Sequence, residues 1–97
     1  MKTTTEILTL LGRYKPTAQK KYGITKLGIF GSVARGEQTV GSDVDVCYEG
    51  QVPSFLTLDK IQTELEQLFD CKVDLVRVRE NMNSLLRQRI LRDGIFV

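Results

Sequence analysis

Asp43 and Asp45 stand two apart in a run that alternates acidic and apolar side chains, Asp43-Val44-Asp45-Val46-Cys47-Tyr48. Successive side chains of a strand point to opposite faces, so the two carboxylates are expected on one face, with Cα atoms roughly 6.5–7 Å apart. Carboxylate oxygens at that spacing can converge on a hard divalent cation such as Mg2+. The Val44-Val46-Tyr48 face is the one to bury. A third acid, Asp74, interrupts the apolar stretch Val73 to Val78. Strands disfavour Asp, and burying a lone carboxylate is costly. Asp74 is therefore either on an exposed strand face, in a salt bridge, or a third metal ligand beside Asp43 and Asp45. Upstream, Gly31-Ser32 breaks an apolar run ending at Phe30. A helix opening after such a turn offers free N–H groups to phosphate oxygens. Gly31 lets the backbone approach closely, Ser32 adds a hydroxyl, and Arg35 either contacts phosphate or pairs with Glu37. Together these residues suit a triphosphate and two metal ions about 3.5–4 Å apart that clamp the attacking and leaving oxygens.

The elements that must position these groups follow from the flanking pattern. Ile24–Phe30 reads as a first strand, residues 32–35 as one or two helical turns capped by Ser32, and 37–42 as a polar loop. Residues 44–49 read as a second strand, ended by Gly50 and Pro53. Leu58, Ile61, Leu65 and Leu68 step by three, four and three, one face of a core helix over 54–69 capped by Ser54 or Thr57. Residues 72–78 read as a third strand. Asn81 or Asn83 caps a last helix carrying Leu85, Leu86 and Ile90, stopped by Gly94. Ile95-Phe96-Val97 is an apolar tail that tucks against the domain or is offered to a partner. At the start, Thr3 to Thr5 with Glu6 offer an N-cap. Pro16 predicts a break between a helix over 4–13 and a second, short helix ending at Gly23. The expected architecture is a mixed sheet of strands 24–30, 44–49 and 72–78, its Val44-Val46-Tyr48 face covered by the helices around 4–22, 54–69 and 83–93.

Gly31-Ser32, ten intervening residues and Asp43-Val44-Asp45 match by chance in about one chain in a thousand of this length. This combination resembles the signature of the DNA polymerase beta-like nucleotidyltransferases. The fuller string GSVARGE followed by SDVDV is similar to the minimal nucleotidyltransferases of that superfamily, small prokaryotic proteins often encoded beside a HEPN-domain partner. The resemblance covers nearly the whole chain. It implies an α/β (α+β) fold with a mixed sheet of three or more strands and helices on one face, as one domain over 1–97. It implies transfer of AMP from ATP to a hydroxyl with release of pyrophosphate, dependent on Mg2+ held by Asp43, Asp45 and Asp74. Asp74 would bind the metal facing the nucleophile and help deprotonate an acceptor hydroxyl, and Gly31, Ser32 and Arg35 would bind the nucleotide. It also implies an antitoxin that adenylylates a HEPN-type ribonuclease toxin. A protein acceptor fits a chain in which no second, acceptor-binding domain is evident. The alternative is a non-catalytic antitoxin that masks its toxin by contact, through the last helix and the 95–97 tail.

Composition limits other readings. The chain has 97 residues, a net charge of +2 and no basic block, too little for a nucleic-acid binder. No apolar run approaches the ~18 residues of a membrane span, and no signal-peptide core is evident. Two cysteines without C-x-x-C spacing, and no histidine, argue against a zinc site and for reduced thiols in a cytoplasmic protein.

Overall fold

The computed structural model describes residues 2–51 and 54–97. Pro53, read as the stop after the second strand, lies outside them.

The first helix, α1, runs Thr4–Tyr22. Thr3 caps it: its hydroxyl accepts from the Glu6 N–H, and the Glu6 carboxylate accepts from the Thr3 N–H, each at 3.1 Å. Gly23 closes it in the left-handed conformation at φ 70°. Pro16 does not divide the helix, contrary to expectation. An interior proline costs about 3 kcal/mol. Ile7 and Leu11 are fully buried before it, and burying each gives about 1.5–3 kcal/mol. Beyond it, Ala18 is buried, and the hydroxyls of Tyr14 before it and Tyr22 after it both donate to Glu64 Oε1, at 2.8 and 2.9 Å. Tertiary contacts on both sides of Pro16 thus outweigh the lost bond.

Strand β1 (Ile24–Phe30) leads into a single turn, α2 (Gly31–Ala34), and β2 spans Val44–Gly50. Helix α3 (Phe55–Phe69) is capped by Ser54, whose hydroxyl accepts from the Thr57 N–H. It carries the chain from β2 to β3 (Val73–Arg77), which lies parallel to β2 as such a crossover allows. Asn83 caps α4 (Ser84–Asp93), and β4 (Ile95–Phe96) follows. The sheet order is β3-β2-β1-β4, with β1 antiparallel to both β2 and β4. The apolar tail thus tucks in as a fourth strand, pairing Ile95 with Ile29 and Phe96 with Gly28.

The main core lies on one face of this sheet. Ile7, Leu11 and Ala18 of α1 and Ile61, Leu65 and Phe69 of α3 pack there against Leu27, Ile29, Val44, Val46 and Tyr48. The expected coverage of the Val44-Val46-Tyr48 face therefore holds for α1 and α3. It fails for α4, so helices are not confined to one face. Ile90 of α4 packs on the reverse side with Phe30 and Cys47. The reason lies in β1 and β2 themselves. Phe30 and Cys47 alternate with Ile29 and Val46, so burying both sets requires a cover on each side. Among the described residues no helix is long and apolar enough to cross a membrane.

Candidate active site

The reverse face carries Asp45 and Asp74 as well as Phe30 and Cys47. Asp45 is the second residue of β2 and stands opposite Phe30, the last residue of β1. The next residue, Gly31, turns at φ 73°, a conformation that L side chains rarely adopt. The Asp45 carboxylate lies against Gly31, filling the space where a Cβ would project. Glycine at 31 is therefore required twice, by its backbone and by its neighbour. The helical turn begins at Gly31, and its N-cap is Phe30, which makes no side-chain capping bond. Ser32 is thus half-buried inside the turn rather than its cap.

Parallel pairing of β2 with β3 sets Asp45 directly beside Asp74. The start of that pairing is fixed by the Val44 N–H, which donates to Lys72 O at 3.0 Å. Partial burial, chiefly, with the charge and hydrogen bond of Asp74 and the charge of Asp43, pushes the Asp45 carboxyl up to about 6. Asp43 precedes β2 and is exposed. It lines a cavity of about 650 Å³ with Lys2, Glu6, Ile7 and Phe69, between the start of α1 and the end of α3. Asp74 is exposed on β3, a sheet edge.

The structure therefore brings Asp45 and Asp74 together and leaves Asp43 at the rim, near enough for its charge to act on Asp45. Among the described residues, no three His, Cys, Asp or Glu side chains converge as a preformed metal-binding group. The chemistry of the pair still fits a hard cation. Both offer oxygen donors, and a cation between them would offset the burial and the repulsion that together raise Asp45.

Arg35 follows α2, and its backbone N–H donates to Gly31 O at 3.2 Å. Its Nε donates to Glu37 Oε2 at 3.1 Å, one of the two partners expected for it. Its Nη1 donates to Asp93 Oδ2 at 2.7 Å. Sequence reasoning passed over Asp93. A signal was present, because an acidic residue at a helix C-terminus opposes the helix dipole and calls for a compensating cation. Two cations supply it, since Arg92 also donates to Asp93, at 3.0 and 3.1 Å.

Comparison with known proteins bears on this geometry. The family model described as a nucleotidyltransferase domain matches residues 11–97. Protein adenylyltransferase MntA of Thermococcus cleftensis is 33% identical over 98 residues, covering 100% of this chain and 98% of that protein. A solved minimal nucleotidyltransferase is 29% identical, with a TM-score of 0.71 over 92% of this chain and 93% of that one. A toxin–antitoxin crystal structure with AMP-PNP shares the fold at 22% identity, with a TM-score of 0.70 over 96% of this chain and 70% of that one. With the glycine turn, the paired acids and a family match over nearly its whole length, the chain belongs to the nucleotidyltransferase domain family.

Proposed function

We propose that the protein transfers AMP from ATP to a hydroxyl of a HEPN-type toxin and so acts as its antitoxin in the cytoplasm. The observation that carries the reading is the Asp45 carboxylate, seated against Gly31 and set beside Asp74 by strand register. Two acids forced together next to a backbone turn make a poor structural device and a good receptor for a cation and a phosphate chain. The relative MntA is named as a protein adenylyltransferase, and one structure sharing the fold is a tri-AMPylated Shewanella oneidensis HEPN toxin in complex with MNT antitoxin. Both support the choice of acceptor.

In this reading the N–H groups of the Gly31-Ser32 turn and the Ser32 hydroxyl hold phosphate oxygens, and Arg35 adds positive charge at its edge. Asp45 and Asp74, with Asp43, would hold Mg2+, which when bound would neutralise the phosphates and stabilise the charge that builds on the transferring group. The acceptor oxygen attacks the α-phosphorus, the bond to pyrophosphate breaks, and the acceptor proton passes to the Asp74 carboxylate. Asp74 suits that task because it is exposed on a sheet edge, where a bulky protein acceptor can reach it.

Calorimetry of the purified chain with ATP and Mg2+ tests the reading. Saturable binding that is lost on chelation is the expected result. A chain that captures a HEPN partner but binds no ATP would instead be an antitoxin acting by contact alone.

A further inference from the structure

Arg35 and Asp93 lie 58 residues apart in the chain and meet at 2.7 Å. We infer that Asp93 is a positioning residue, holding the Arg35 guanidinium at the edge of the Gly31 turn so that its remaining N–H groups receive the phosphates of a nucleoside triphosphate. This rests on the nucleotidyl-transfer reading above.

Three observations carry it. The Asp93 side chain is only 6% exposed, whereas those of its partners Arg35 and Arg92 are 38% and 67% exposed. The fixed member of the group is thus the acid. Its place is set from both sides: Ile90 is buried one turn earlier, and the β4 residues that follow pair with β1. The Gly94 N–H donates to Ile90 O at 2.8 Å, and a side chain at Gly94 would run into that same carbonyl. Second, an acid in the last turn of α4 works against the helix dipole, so local helix stability does not account for it. Third, the guanidinium is left with capacity to spare. Arg carries five N–H donors in a rigid fork. Nε is taken by Glu37 and one Nη1 hydrogen by Asp93, and Nη2 has no partner among the described residues. The same cation acts on Asp45, whose carboxyl it lowers against its acidic neighbours. The fork is therefore held by the Glu37 and Asp93 carboxylates and stands within electrostatic reach of Asp45.

The test is the affinity for ATP with Mg2+, measured by calorimetry on the full chain. Asp93→Asn is expected to weaken binding roughly tenfold, the scale of one charge-assisted contact. Asp93→Glu, which keeps the carboxylate, should recover most of the loss. In an Arg35→Gln background, Asp93→Asn should cost nothing further. Wild-type affinity in Asp93→Asn, or an undiminished second loss in the Arg35→Gln background, would overturn the inference while leaving the wild type's ATP binding, and the reading beneath it, intact. A wild type that binds no ATP would overturn both. Should Asp93→Asn fail to fold, Arg35→Lys carries the test, since it keeps the charge and leaves α4 untouched but removes the fork. A comparable loss supports the positioning role, and normal binding refutes it.

Discussion

Asp45 and Asp74 sit side by side on parallel strands, and the first of them closes the space above Gly31. Burial and acidic neighbours hold the Asp45 carboxyl at about 6. Crowding the two acids costs stability, and a cation bound between them would offset that cost. Asp45→Asn and Asp74→Asn should therefore fold, yet lose about 10²–10³ in transfer rate, as removal of one electrostatic contact to a transition state does. The sign for stability follows from the raised carboxyl. Asp45 favours the fold below the unfolded Asp value of about 3.9, and that advantage disappears as pH rises through about 6. Thermal midpoints in chelator at pH 7 should accordingly be equal to or higher for Asp45→Asn than for wild type. A marked drop would identify a structural ion pair instead.

Gly31→Ala should be far more damaging than a surface glycine change. A left-handed residue with a Cβ costs about 1–2 kcal/mol, and here the methyl also meets the Asp45 carboxylate. Gly41, also at positive φ, has open space around it and serves as the control. Chemical denaturation of both variants, with nucleotide affinity, reads the difference: Gly41→Ala should keep wild-type affinity and Gly31→Ala should lose it.

Glu64 accepts from both Tyr14 and Tyr22, tying the far half of α1 to α3. Both phenols are pushed up, by burial first and by the Glu64 bond second. Glu64→Ala should lower stability by about 1–3 kcal/mol, the cost of leaving half-buried donors unpaired. ATP affinity, measured well below the midpoint, should not change.

Asp93 gives an acid-side signature. Its carboxyl is held below the usual range by the Arg92 bond, then by the Arg35 bond. A lowered carboxyl supports the fold above the unfolded value and loses that support as pH falls through the folded one. The wild-type midpoint should fall on acidification below about pH 4, and Asp93→Asn should flatten part of that fall. A parallel decline in the two proteins would show that the pairing contributes no stability.

Much of this molecule is legible in the chain because its signals are local. The alternation through Val44-Val46-Tyr48, the step of apolar residues in α3 and the turn at Gly31 each depend on neighbours a few positions away. What escaped depends on distant ones. Pro16 stays helical because of Glu64, fifty positions beyond Tyr14. Ile90 marks a buried helix face, but the helix pattern alone cannot say which side of the sheet it meets. The clue lay in Phe30 and Cys47, apolar residues on the acid-bearing face. The Arg35–Asp93 pair required β4 to be recognised as a strand, and two residues carry no usable period. At the site, the Gly-Ser and Asp-x-Asp spacing led to Gly31 and Asp45, which the fold sets against each other. Asp43 nonetheless falls ahead of β2, so strand alternation alone does not fix its placement.

The central claim is tested most directly by mass spectrometry of a purified HEPN-type protein from the same organism, after incubation with the chain, ATP and Mg2+. The account predicts that the HEPN protein gains the mass of one or more AMP groups, with pyrophosphate released. The gain should vanish in chelator and fall by about 10²–10³ in initial rate with Asp45→Asn. A HEPN protein that is bound and silenced by the chain while its mass stays unchanged would contradict the account.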